Sequence, residues 1–366
     1  MTGTLELSYV LPLRWQDGAG RAELTDYLQR LRASCRNIII IDGSPPNIFA
    51  ANELAWGSWT LHIPPDVDTA CKMGKVAGVN TGLRHARHEH VVIADDDVRY
   101  EPPGLERIAK LLQDHDLVWP QNFFEPLPWH ARWDTARTLL NRAVGADFPG
   151  TLAVRRSPIV QAGGYDGNVM FENLELIRTV EAQGGNTVAP LDLYVRRLPP
   201  STRHFVGQRT RQAYDDFAIP TRMTIWLSIL PLAAALLSTR RWRAAGTAAA
   251  GVCLLAERGR RRAGGARVFP ASSSLLAPLW VLERGVCSWL AVLQRIRFGG
   301  VRYGEQIIRT AAHSKDTLRA RHQPAVAKHA IPAPARGKEH SATAQQDASV
   351  ERKPYSAPMQ RSSGST

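Results

Sequence analysis

The sequence predicts an α/β fold with a mostly parallel sheet, followed by apolar helices and a polar tail. Three observations carry that expectation. Over the first 200 residues, strand-like runs rich in Val, Ile and Leu alternate with helix-like segments. Acidic residues fall at the carboxyl ends of those runs, where open sheets of this kind bind ligands. Beyond Arg203 the chain turns apolar and arginine-rich in alternating blocks.

The strand candidates are "LELSYVLPL" (5–13), "NIIIID" (37–42), "WTLHI" (59–63) and "HVVIAD" (90–95). Their β-branched and aliphatic residues suit a strand buried on both faces. Helix candidates run from Ala22 to Ser34 and from Lys75 to Arg87. Asp42 closes the second strand, and Asp95 and Asp97 close the fourth. In "HVVIADDDVRY", strand alternation puts Asp95 and Asp97 on one face and Asp96 on the other. Two carboxylates on one face repel each other unless a cation lies between them. The stretch is therefore either a solvated turn or a divalent-metal site holding a phosphate-bearing substrate.

Charge is unevenly placed. The chain of 366 residues has a net charge of +13 and is 44% hydrophobic. Residues 1–206 hold 21 Lys and Arg against 24 Asp and Glu, while residues 207–310 hold 16 against 5. The basic charge thus lies beside apolar segments, as in membrane-proximal sequence. No basic-aromatic motif accompanies it, so nucleic acid is not an expected partner. Cys35, Cys71, Cys253 and Cys287 show no metal-ligand spacing and read as reduced structural thiols. The N-terminus lacks a basic region leading into a long apolar core, so no signal peptide is expected.

The apolar segments are 223–237, 244–256 and 274–293, the last broken by Glu283 and Arg284. A full crossing needs about 20 apolar residues, and the first two are short for that. They read as membrane-associated helices that cross, re-enter or lie in the interface, since arginine clusters flank each one, with buried core helices the weaker alternative. From Ala311 onward the sequence is rich in Ala, Pro, Ser, Gln and Lys and reads as a disordered tail.

Several motifs occur in a fixed order: "YVLPLR", "IIIIDGS", "KMGKVAGVNTGL", "VVIADDDV", "GGYDGNVMFENLEL" and "GQRTRQAY". That order resembles the family 2 glycosyltransferases, whose fold is the GT-A nucleotide-sugar-binding domain. It is most similar to the membrane-associated branch that includes ceramide glucosyltransferases and polysaccharide synthases. The resemblance implies a catalytic domain over 1–206, a Q(Q/R)xRW-type segment over 207–222 and membrane-associated helices over 223–293. A basic juxtamembrane segment (294–310) and the tail (311–366) follow. It also implies a nucleotide-sugar donor, a Mn2+ or Mg2+ cofactor and a lipid or lipid-linked acceptor. The location implied is the cell membrane, with the catalytic domain on its cytoplasmic side.

Residue by residue, the resemblance puts Asp42 at the uracil or ribose, and Lys75 and Asn80 in the segment close to the nucleotide. Asp95 and Asp97 become the DxD pair, with Asp97 the direct metal ligand. Gln208, Arg209 and Arg211 match the Q(Q/R)xRW motif, while Gln212 stands where tryptophan is usual. The arginines suit charge-assisted hydrogen bonds to phosphate.

An acceptor hydroxyl must lose a proton as it attacks, so a carboxylate base is needed. The family's base is the aspartate of a TED-like motif, which here reads "FENLEL" and places Asn173 at that position. Glu172 is the expected replacement, with Glu175 second. Two rivals differ in class. An aspartate-nucleophile phosphatase also begins hydrophobic-DxD, but it wants Thr or Val where Arg99 stands. A non-catalytic nucleotide-sugar-binding membrane scaffold would account for the lost aspartate.

"HARHEH" (His85, His88, His90) reads as a solvated helix end rather than a metal site. "WPQNFFEPLPWHARW" (119–133) reads equally as core packing with a turn or as a loop lining the acceptor site.

Overall fold

Near-continuous burial along the first strands, on both faces, builds the centre of the molecule. The computed structural model describes residues 4–322 other than Pro149 and Glu305. In chain order the first half contains β1 (Leu7–Leu13), α1 (Arg21–Leu31), β2 (Asn37–Asp42), α2 (Pro46–Trp56), β3 (Leu61–Ile63), α3 (Gly74–His85), β4 (His90–Ala94), β5 (Val98–Arg99), α4 (Pro102–Asp114), β6 (Leu117–Val118), β7 (Gln121–Phe124) and α5 (Trp129–Val144). There follow β8 (Thr151–Arg155), α6 (Arg156–Gln161), α7 (Glu172–Ala182), β9 (Thr187–Val188), β10 (Tyr194–Arg197), α8 (Thr202–Tyr214), α9 (Pro220–Ser238), α10 (Trp242–Arg261), α11 (Ala271–Phe298), β11 (Val301–Tyr303), β12 (Gln306–Ile308) and α12 (Lys315–His322).

Seven strands form the main sheet in the order β3-β2-β1-β4-β8-β6-β9. Only β8 runs against the others. Side chains sort by period two: Val10, Ile39, Ile41, Val91 and Ile93 fill one core, and Tyr9, Leu11, Ile38, Ile40 and Val92 fill the other. α3 lies close against β1, and a Cβ on Gly82 would sit 2.3 Å from Val10 Cγ1. Gly78 likewise lets α3 approach Pro12, where a Cβ would lie 3.0 Å from the proline Cβ, so α3 runs along β1 and its start, with Lys75, comes to the strand ends. A second sheet, β5-β10-β7, stands beside the DDD turn, where Leu198 N–H donates to the Asp97 carbonyl at 2.7 Å.

The predicted strands and helices agree with β1 to β4, α1 and α3 to within a few residues. β8 was not expected. Its residues, "TLAVR", carry the same apolar signal as a parallel strand, and only pairing partners reveal strand direction.

The three apolar segments become α9, α10 and α11. α10 and α11 pack on α5, and α11 also packs on α8 and α9. α9 and α11 are long and apolar enough to cross a membrane, and α10 is not.

The expected disordered tail needs a correction at its start. Thr310 bridges Val169, Ala311 is buried, and α12 packs on α7. The apolar residues that anchor this segment, Ile308, Ala311 and Leu318, are too sparse to stand out in a local reading. Residues 323–366 of that tail lie outside the described residues.

Candidate active site

A cleft of about 860 Å³ opens at the carboxyl ends of β1, β2 and β4. Asp95, Asp96, Asp97, Lys75, Glu172, Asn173, Gln208, Arg211 and Gln212 all line it. A second hollow of about 760 Å³, between α6, α7 and Arg321, carries none of these residues.

The three aspartates form a turn rather than an extended strand, with Val98 N–H donating to the Asp95 carbonyl. Asp95 and Asp97 still share one cation. Arg197 donates from Nε to Asp97 Oδ2 at 2.8 Å and reaches Asp95 Oδ2 at 3.4 Å. Asp96 takes the Trp15 indole N–H at 2.5 Å instead. Gly150 makes room, since a Cβ there would lie 2.8 Å from both Arg197 Cζ and Asp95 Oδ2. Burial pushes the Asp97 carboxyl up and Arg197 pulls it down. With Asp95 and Asp96 adding repulsion, it stays above the ordinary carboxylate range. Asp97 Oδ1 is buried without a hydrogen-bond partner. Two hard carboxylates, one with an orphaned oxygen, fit a divalent cation such as Mn2+ or Mg2+.

Lys75 ties this pair to the far wall. Its Nζ lies 2.7 Å from Asp95 Oδ1 and 2.9 Å from Glu172 Oε1. Burial disfavours its charge, but the two carboxylates outweigh burial and hold it protonated. Glu172 opens α7, and the loop before it is pinned by Met170 and Phe171 N–H groups donating to Thr310 and Ala311 carbonyls.

α8 presents its cleft face by helical period: His204, Gln208, Arg211 and Gln212 point one way. Arg211 stacks over Tyr303 at 5.4 Å.

Four expected site residues stand elsewhere. Arg209 lies about 100° around α8 from Gln208. Its guanidinium is buried against Glu283 at 2.6 and 2.7 Å and Asp134 at 2.8 Å, so it fastens α8 to α11 and α5. Glu175 is fully buried and takes the backbone N–H of His313 at 2.7 Å and its ring Nδ1 at 2.8 Å. Asp42 is 1% exposed and occupied by Ser44 N–H, Asn52 and His62. Asn80 binds the backbone of Tyr165, holding the "GGYDG" turn in which Gly163 and Gly164 take positive φ. In each case the residue sits on the motif, but its side chain faces inward.

Among the described residues, one other acid–imidazole group could hold a metal: Asp166, Glu175 and His313. Arg321 lies 2.9 Å from Asp166 and 3.0 Å from the His313 ring, so a guanidinium already compensates these acids. Of the "HARHEH" histidines none joins such a group. In the 119–133 stretch, no aromatic residue lines the cleft. Trp133 donates to Glu283 at 2.8 Å and His130 bonds the Pro200 carbonyl, so packing and a turn account for it.

Arg197, Asp215 and Arg284 escaped the sequence reading. No local pattern marks which of 46 Lys and Arg residues will meet the aspartates.

Residues 23–162 match the family model described as glycosyl transferase family 2. Among solved structures, the chain resembles a mannosyltransferase from Pyrobaculum calidifontis in complex with GDP-Man and Mn2+. The TM-score is 0.50 at 18% identity, covering 79% of this chain and 88% of that one. It also resembles glucosyl-3-phosphoglycerate synthase from Mycobacterium tuberculosis in complex with Mn2+, UDP and phosphoglyceric acid. There the TM-score is 0.39 at 18% identity, covering 57% of this chain and 76% of that one. Mannosyl-3-phosphoglycerate synthase from Rubrobacter xylanophilus gives 0.38 at 15%, covering 56% and 70%. No curated protein matches the chain by sequence. The architecture is a mixed α/β GT-A fold, and the family match lies within it, over residues 23–162.

Proposed function

We propose that the protein is a membrane-associated, metal-dependent inverting glycosyltransferase. It would transfer a sugar from a nucleotide sugar, with UDP as the favoured carrier, to a lipid or lipid-linked hydroxyl. One observation carries the reading: a single ammonium, Lys75, spans Asp95 of the DxD pair and Glu172. Metal ligand and candidate base therefore face one space.

Asp95 and Asp97 would hold a divalent ion that offsets the charge developing on the leaving nucleoside diphosphate. The α3 N-terminus and Lys75 attract the diphosphate, and Arg211 adds a second cation from the opposite wall. As Lys75 turns to the phosphates, Glu172 is freed to accept the proton of the acceptor hydroxyl. The acceptor oxygen bonds to the anomeric carbon from the side opposite the diphosphate, the carbon–phosphate-oxygen bond breaks, and configuration inverts.

The C-terminal helices support a membrane partner. Ile225 and Leu232 of α9, Trp242 and Leu254 of α10, and Leu275, Leu279, Leu290 and Leu293 of α11 are exposed. Arg240, Arg241 and Arg243 surround the α9–α10 turn. Glu283 and Arg284 sit midway along α11 and pair with Arg209 of α8 and Asp216 of the turn after it. A helix held there by its midpoint suits the bilayer interface better than a crossing. We place the catalytic domain at the cytoplasmic face of the cell membrane. Full-length protein should float with anionic vesicles, and Leu279→Glu with Leu290→Glu should reduce flotation.

The decisive experiment offers full-length protein a panel of labelled nucleotide sugars with Mn2+ or with EDTA, following thermal shift, hydrolysis and transfer. Metal-dependent stabilisation by one donor, with its turnover, is expected. Binding without turnover towards any acceptor would favour the scaffold reading, which Asn173 motivates.

A further inference from the structure

Three of the buried, partnerless side-chain atoms among the described residues belong to residues lining the one cleft: Asp97 Oδ1, Asp215 Oδ1 and Arg284 Nη1. Buried polar groups are nearly always hydrogen-bonded, so such atoms in a cleft ask for a ligand. The first sits in the DxD pair. The other two come from the turn after α8 and from α11, and have no role in the reaction described above.

Arg284 is 3% exposed and fixed in place. Its Nε donates to Asp216 at 2.9 Å and its Nη2 to the Gln212 carbonyl at 2.6 Å, leaving Nη1 as the spare donor. Asp215 follows α8 directly and lines the cleft with Glu172, closely enough for the two acids to repel each other. Burial, reinforced by Glu172 and Asp216, raises the Asp215 carboxyl well above the ordinary range against the pull of Arg284 and Arg211. A carboxyl of that kind can give as well as take a hydrogen bond. The spare groups are thus one donor and one acceptor beside the candidate base. A phosphate would meet two acids there, and an alkyl chain would leave both polar groups unpaired at a cost. A hydroxyl both accepts and donates, and neighbouring hydroxyls on one ring can serve Arg284 and Asp215 together.

We propose that Asp215 and Arg284 form an acceptor subsite for a polyhydroxylated group, a sugar or cyclic polyol, presented next to Glu172. This rests on the glycosyltransferase reading and narrows it: the acceptor's reacting end is a carbohydrate-like headgroup rather than a simple lipid alcohol. Arg284 fixes one hydroxyl, Asp215 orients its neighbour, and Glu172 is left to meet the reacting one.

The test uses full-length protein saturated with UDP and Mn2+, titrated by calorimetry with methyl glucoside, methyl mannoside, methyl galactoside, myo-inositol and glycerol, and with 1-hexanol as the apolar control. At least one polyol should bind saturably and more tightly than hexanol. Asp215→Ala should weaken that polyol roughly 10–100-fold, the loss expected for one hydrogen bond to a buried group. Affinity for UDP with Mn2+ should be unchanged. Asp215→Asn, which keeps the shape and an acceptor oxygen, should lose less. Arg284→Lys, which keeps a cation beside Asp216, should also weaken the polyol, so the subsite can be judged even if Asp215→Ala fails to fold. Hexanol binding as well as the best polyol would overturn the proposal. So would unaltered polyol affinity in the folded variants, or no polyol binding to a protein that does bind UDP. A protein that binds neither UDP nor any nucleotide sugar would sink the glycosyltransferase reading instead.

Discussion

At the proposed donor end of the cleft, Lys75, Asp95 and Asp97 come from the start of one helix and the turn after the strand that follows it. At the acceptor end, Glu172, Asp215 and Arg284 come from α7, from the turn after α8 and from the middle of α11. The donor end is a local construction, in which strand ends and a helix start bring charge together over a short stretch of chain. The acceptor end depends on packing between distant helices. On the proposed reading, repacking α11 alters the acceptor end alone, whereas α8 serves both ends through Arg211.

The largest effect expected is on turnover. Glu172→Gln should lower kcat by roughly 10²–10⁴-fold with donor affinity nearly normal, because the base does not touch the diphosphate. Asn173→Asp, which restores the family's carboxylate, should keep activity and partly rescue Glu172→Gln. Full activity in Glu172→Gln would move the base elsewhere, with Asp215 the next carboxylate to test.

The two arginines of "QRTRQ" separate stability from binding. Arg209→Met should destabilise the fold by about 1–3 kcal/mol, since it takes the guanidinium from Glu283 and leaves buried Asp134 with Arg137 alone. Arg211→Met should leave the melting temperature nearly unaltered and weaken donor binding. The reverse pattern, read by thermal melts and UDP titration, would exchange their roles.

Asp97→Asn should weaken metal-dependent donor binding by about 10–100-fold while the fold persists. Wild-type transfer in Mn2+ by this variant would show that the DxD pair is not the metal site.

The smallest effect concerns pH. Burial disfavours charge on both His62 and Asp42, but their hydrogen bonds prevail. His62 is raised above the ordinary imidazole range by Asp42 and Glu53, and Asp42 is lowered by His62, Asn52 and Ser44. The His62 contribution is complete below its ordinary pKa and is lost as pH rises through the raised value. The Asp42 contribution is complete above its ordinary pKa and is lost as pH falls through the lowered one. The pair therefore stabilises most in weakly acid solution. His62→Gln should flatten the decline in Tm as pH rises from the ordinary imidazole pKa through the raised one. An unaltered slope would mean that other groups govern it.

How much could be read beforehand follows the same division. "NIIIID" and "HVVIAD" announce buried strands because a run of β-branched residues has few other uses, and the acids after them mark the cleft. Arg209 and Glu175 show the limit of motif reading. Both lie within the right few residues, but a helix turns neighbours about 100° apart, and only the packed neighbours decide which side faces the ligand. Pairing direction was hidden too, since β8 resembles its parallel neighbours in composition.

By itself the sequence determined the order of strands and helices, the acids at the strand ends and the apolar, basic character of the last third, because each rests on local chemistry and periodicity. Only the tertiary structure decided that Arg197 bridges Asp95 and Asp97, that Lys75 reaches Glu172, and that Asp215 and Arg284 share a wall of the cleft. The Arg197–Asp97 and Lys75–Glu172 contacts join residues about 100 positions apart, and nothing in local sequence encodes which of many charged side chains the folded packing will bring together.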